Sequence, residues 1–139
     1  MAREAVQSQG PKRILLVEDD PDVALSLRML LTLAGHETET VPHAEAALAK
    51  FDPSKHDVVI TDLRLPGMNG LDLAEAIRRR EPQQPIILTS GSPEVVAANL
   101  KSNSINVLLG KPFDLRQLQE AVLASLHPTE VGAPKTISV

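Results

Sequence analysis

Short, unbroken apolar runs recur along the chain, and each one ends on a charged or hydroxyl-bearing residue. ILLV at 14–17 runs into Glu18, Asp19 and Asp20. VVIT at 58–61 runs into Asp62, IIL at 86–88 into Thr89 and Ser90, and VLLG at 107–110 into Lys111-Pro112. Runs of this kind read as strands buried on both faces, as in a parallel sheet. The predicted strands cover 13–18, 36–41, 57–61, 86–90 and 106–109. The second is more polar, as suits an edge strand.

Between the strands the apolar spacing turns helical. Val23, Leu27, Leu30, Leu31 and Ala34 follow Asp20 and Pro21, an N-cap and a first-position proline, and Gly35 stops the helix. Further helices are predicted over 44–51, 71–80, from Ser92-Pro93 to about 101, and from Asp114 to 126. Asp114 with Gln117 has the spacing of a capping box. Residues 1–12 read as a flexible lead-in, and 127–139, with Pro128, Gly132 and Pro134, as a disordered tail. Strands alternating with helices predict an α/β fold, a doubly wound parallel sheet with helices on both faces and right-handed crossovers. Periodicity leaves the strand order open.

Composition narrows the field. The chain has 139 residues, 42% of them hydrophobic, which suits one domain with a sizeable core. Aromatics are 1%, both Phe, which argues against base-stacking surfaces. A net charge of −4 argues against nucleic-acid binding, and the absence of cysteine excludes disulfides and thiolate metal sites. No secretory signal or membrane-length apolar run occurs, so the expected location is cytoplasmic.

The chemistry sits at the strand ends. In an open α/β sheet the carboxyl ends of the strands converge on one crevice. Glu18, Asp19, Asp62, Ser90 and Lys111 would meet there. Crowded carboxylates call for a hard divalent cation, Mg²⁺ or Mn²⁺. A carboxylate can also act as a nucleophile and form an acyl phosphate. Asp19 and Asp62 could hold the ion directly and Glu18 through water. Lys111 and Ser90 could contact phosphoryl oxygens. His36, His43, His56 and His127 lack metal-ligand spacing and read as surface residues. Arg78-Arg79-Arg80 reads as cations suited to a helix end. No G-x-x-x-x-G-K-[ST] loop is present.

These segments carry a resemblance. ILLVEDDPDV at 14–23, DVVITDLRLPGMNGLDL at 57–73, PIILTSGS at 85–92 and GKPFDLRQL at 110–118 resemble, in order and spacing, the receiver domain of two-component response regulators. The resemblance covers 13–126. It implies a flavodoxin-like fold of strand order 2-1-3-4-5, and phosphoryl transfer to Asp62 from a histidine kinase or histidine phosphotransfer protein. It adds the Arg64 backbone carbonyl as a third protein ligand of the metal, and a cis Lys111-Pro112 bond. Ser90, Leu108, Arg64 and Ser92 fall at positions of switching or tuning. Leu108 stands where many receivers carry Tyr or Phe, so an aromatic switch is not available here.

The expectation is a phosphoacceptor signalling domain, not an enzyme with turnover. It would act as a stand-alone receiver, with no output domain after residue 126. Its fourth helix, fifth strand and fifth helix would engage a downstream protein, and a phosphorylation-linked homodimer is a further option. Neither nucleic acid nor membrane is an expected partner. Two rivals remain. One is a phosphorylation-independent module of the same fold. The other is an aspartyl-nucleophile phosphohydrolase, which would need an acid where Arg64 stands.

Overall fold

The computed structural model describes residues 10–100, 104–127 and 134–138. Strands β1 (Arg13–Val17), β2 (Glu37–Val41), β3 (Val58–Asp62), β4 (Ile86–Ser90), β5 (Val107–Gly110) and β6 (Lys135–Ile137) form one sheet of order β2-β1-β3-β4-β5-β6. Every pairing is parallel. Helices α1 (Pro21–Leu33), α2 (Ala44–Lys50), α3 (Gly70–Arg80), α4 (Pro93–Asn99) and α5 (Leu115–Ser125) cover the two faces.

Alternation along the strands sorts the core into two layers. Leu15, Val17, Val59, Ile86, Leu88 and Leu108 share one cluster with Ala44 and Ala47 of α2, Leu73, Ala74 and Ile77 of α3, and Val96 of α4. Ile14, Leu16, Val58, Ile60, Ile87, Val107 and Leu109 share the other with Leu27 and Leu31 of α1 and Leu118, Ala121 and Val122 of α5. Aliphatic side chains dominate both layers, with Phe51 in the first and Phe113 packed against the second.

The caps hold the helices where the site needs them. Asp20 accepts from the Asp22 and Val23 amides at 2.9 and 3.3 Å. Asn69 accepts from the Asp72 amide and starts α3, a cap the sequence reading missed. Asp114 and Gln117 form the expected capping box. Gly35 takes φ +93° just past α1, a left-handed position that favours glycine.

Three expectations need correction. The sheet has six strands, because Lys135–Ile137, inside the segment read as a disordered tail, pairs in parallel with β5. The rest of that tail between 128 and 133, and lead-in residues 1–9, lie outside the described residues. His36 and His56 are buried, at 5% and 3% exposure, rather than on the surface. Each ring is paired at both nitrogens: His36 with the Lys12 amide and Gln119, His56 with the Asp52 amide and Glu39. Ser92 occupies the N-cap position of α4, but its side chain makes no capping hydrogen bond. Arg78 lies in the last turn of α3, as expected, and it also donates to the carbonyls of Pro82, Gln84 and Ser104 and to Asn106 Oδ1.

Candidate functional site

Three strands deliver the charged groups. Glu18 and Asp19 follow β1, Asp62 ends β3, and Lys111 follows β5. One carboxylate oxygen from each of Glu18, Asp19 and Asp62 lies within 4.8 Å of the other two. Lys111 Nζ sits 3.3 Å from Asp62 Oδ2 and 3.9 Å from Glu18 Oε1. Neighbouring strand ends are tied together. The Lys111 amide donates to the Ser90 carbonyl at 2.8 Å, the Leu63 amide to Thr89 at 3.0 Å, and the Glu18 amide to Val41 at 3.0 Å. The Lys111-Pro112 bond is cis, as the resemblance implied.

Burial differs sharply among the acids. Glu18 is 4% exposed, Asp62 is half-buried and Asp19 is open to solvent. Burial pushes the Glu18 carboxyl above its ordinary range, and the nearby Asp62 charge adds to this. The Asp20 amide, which donates to Glu18 Oε2 at 3.1 Å, and Lys111 pull the other way.

The remaining expected residues divide. Ser90 is buried, and its Oγ accepts from the Ser92 amide at 3.0 Å. By alternation it falls on the side of Ile86 and Leu88, and Thr89 on the side of Ile87. Arg64 is exposed, two residues past Asp62. Leu108 is fully buried in the α2–α3–α4 layer and does not line the crevice as a free switch.

Two glycines escaped the sequence reading. A Cβ on Gly70 would collide with the Asp62 carbonyl oxygen and lie 2.8 Å from Leu88 Cδ1. A Cβ on Gly110 would lie 2.8 Å from Pro93 Cγ and 2.9 Å from Ser138 Cβ. Both positions exclude a side chain beside a site residue. Only the late position of a glycine in its strand or loop hinted at this.

The donor set fits a hard divalent cation. Three carboxylates face one ammonium, and Glu18 Oε1 is buried with no hydrogen-bond partner among the described residues. Such an orphaned oxygen is costly unless a cation or bound water meets it. All-oxygen ligation at a partly open site suits Mg²⁺, which keeps several waters.

A doubly wound parallel sheet with an acidic cluster and a lysine beyond its carboxyl ends is the arrangement expected of a receiver-type signalling domain. The model of the response regulator receiver domain matches residues 14–123. The chain belongs to that family. It is 34% identical over 114 residues to the sensory transduction protein RegX3 of Mycobacterium tuberculosis, covering 82% of this chain and 50% of that one. Identity to the DNA-binding response regulator MtrA of Mycolicibacterium smegmatis is 32% over 129 residues, 92% of this chain and 56% of that one. The chain thus spans about half the length of the curated relatives it matches. Among solved structures, the response regulator TrrA of Thermotoga maritima, in complex with Mg²⁺ and BeF, superposes with a TM-score of 0.76 at 34% identity, covering 83% of this chain and 99% of that one. The chemotaxis response regulator CheY4 of Vibrio cholerae gives 0.70 at 27% identity, with 83% and 98% covered. No helix among the described residues is long and apolar enough to cross a membrane.

Proposed function

We propose that Asp62 accepts a phosphoryl group from the phosphohistidine of a histidine kinase or phosphotransfer protein. An Asp62 carboxylate oxygen forms the new O–P bond as the N–P bond to the donor imidazole breaks. The observation that carries this reading is Lys111 Nζ at 3.3 Å from Asp62 inside a cluster of two further acids. Asp19, Asp62 and the Arg64 carbonyl would hold Mg²⁺ or Mn²⁺, with Glu18 acting through water. The ion, when bound, neutralises phosphoryl oxygens. Lys111 transfers its pairing from Asp62 to one phosphoryl oxygen, and the Ser90 hydroxyl donates to another. Glu18, buried and fixed by the Asp20 amide, keeps the acidic wall rigid.

Signalling follows as a population shift, with the phosphoryl group favouring one of two conformers through Ser90 and Lys111. The unit works in the cytoplasm and addresses a downstream protein through α4, β5 and α5. It does not address nucleic acid, since the chain's net charge is −4.

The test is incubation with a small phosphodonor and Mg²⁺. The expected product carries a single phosphate that hydroxylamine removes, and Asp62→Asn abolishes it. Undiminished phosphorylation of the Asn variant would remove Asp62 from the mechanism. Equal rates in chelator and in Mg²⁺ would remove the metal.

A further inference from the structure

The sixth strand lies on the surface that the proposed function gives to the downstream protein. It runs parallel to β5 with Val107 opposite Lys135, Leu108 opposite Thr136 and Leu109 opposite Ile137. The Lys135 amide donates to the Asn106 carbonyl at 3.1 Å. Ile137 is 6% exposed and joins the core cluster of Leu118, Ala121 and Val122 of α5. Lys135 Nζ lies 3.7 Å from Glu120 Oε2, also on α5. Just past the strand, Ser138 and the first residue of α4, Pro93, close on Gly110 so tightly that neither leaves room for a Cβ there. One short segment therefore pairs with β5, packs on α5 and ends beside Gly110, the residue on which Pro93 of α4 also closes.

We propose that residues 134–138 form a detachable strap that closes the α4–β5–α5 face, and that a closed strap and an occupied Asp62 site oppose each other. The inference rests on the proposed function of Asp62. Its physical link is short. Gly110 adjoins Lys111, whose amide is bonded to the Ser90 carbonyl. The Ser90 Oγ is bonded to the Ser92 amide, and Pro93 follows Ser92. Drawing Ser90 and Lys111 towards a phosphoryl group moves Pro93 and Gly110, and Gly110 is the residue against which Ser138 is seated. That seat fits one arrangement of the strand ends, because packed contacts switch between discrete states. A three-residue strand at a sheet edge is also the element most easily released. Coupling between two sites is reciprocal: what loosens the strap must strengthen binding at Asp62, and what fixes the strap must weaken it.

The probe is beryllofluoride with Mg²⁺, a phosphoryl mimic, on the full chain. Binding is read by fluorine NMR, since the chain has neither Trp nor Tyr. Hydrogen exchange reads the strap itself. Adding the probe should lower amide protection in 107–110 and 135–138 and leave that of β1 unchanged. Ile137→Glu should tighten probe binding by about fivefold or more. A Glu120→Cys, Lys135→Cys pair bridged by a short bismaleimide should weaken it by a similar factor, and the unbridged pair should match the wild type. The chain has no other thiol to react. Should Ile137→Glu fail to fold, the bridged pair carries the test alone. Equal probe affinity in wild type, variant and bridged pair, with unchanged β5 protection, overturns the strap and leaves the Asp62 reading intact. A wild type that does not bind the probe overturns both.

Discussion

Replacing Gly70 with Ala sets two rules of opposite sign against each other. Gly70 opens α3, and by helix propensity alone Ala should stabilise the chain by about 1 kcal/mol. The structure predicts the reverse. The new methyl would collide with the Asp62 carbonyl oxygen and stand 2.8 Å from Leu88 Cδ1 and 3.0 Å from the Asp62 carbonyl carbon. Carbon contacts relax only near 3.5–4.0 Å, so α3 and β3 must separate by roughly 1 Å. Overpacking of this kind costs about 1–3 kcal/mol. The upper end applies because the obstacle is backbone in a strand paired on both sides. After the helix gain the net loss is about 2 kcal/mol, or roughly 7 °C in Tm for a chain of this size. The displaced atom belongs to Asp62, the proposed phosphoacceptor, and a misplacement near 1 Å slows chemistry by up to about 100-fold. Urea denaturation and the rate of phosphorylation by a small donor measure the two effects. Gly67→Ala is the control. Its φ is +75° with no atom within 4 Å, so it should cost about 1 kcal/mol of backbone strain and leave the rate alone. A Gly70→Ala protein as stable and as fast as the wild type would refute the close approach behind Asp62.

Arg78→Ala leaves the Pro82, Gln84 and Ser104 carbonyls and Asn106 without their shared donor and should cost about 3 kcal/mol in urea denaturation. Arg78→Lys should recover little of it, since an ammonium cannot reproduce the fork. Because the Glu18 carboxyl is raised in the folded state, its contribution to stability is full below the ordinary carboxylate range and lost as pH rises through the raised value. In chelator, Glu18→Gln should therefore melt higher than the wild type at neutral pH, with the gap closing on acidification; a gap that ignores pH would contradict this. Ser90→Ala should leave Asp62 phosphorylation largely intact but uncouple it from partner binding, whereas Thr89→Val should change little. The opposite pattern would shift the β4 assignment by one residue.

Elements made of local signals were legible in the residues. Asp20-Pro21 placed the start of α1, Pro85 and Ser90 framed β4, and Asp114 with Gln117 opened α5. The strands that carry the acids announced themselves by unbroken apolar runs. What depends on distant partners was not legible. Ser92 has the residue type of a cap, yet its amide is turned to Ser90 Oγ and its side chain caps nothing. His36 looks like a surface residue until Gln119, far along the chain, meets its ring, and His56 is buried against Phe51. Arg78 lies in a basic run, and only folding brings Ser104 and Asn106 within its reach. The β6 segment has one apolar residue in three, too little for periodicity to register. Its strand character comes from the free edge of β5.

That edge has a consequence for the behaviour of the protein in bulk. Val107–Gly110 is wholly buried and carries no charge, and β6 covers its outer side with Lys135 and Thr136 facing water. Stripped of that cover, β5 would present bare amides and carbonyls on an aliphatic strand, the template on which chains stack into aggregates. The opposite edge needs no such cover, because Glu37 and Glu39 of β2 already repel a neighbouring strand. Solubility on one side of the sheet is thus written into a single strand, and on the other it is borrowed from a segment 25 residues further along the chain than the end of β5 (110 to 135). Shortening or mutating the last residues should lower the concentration at which the protein stays in solution well before it lowers the melting temperature.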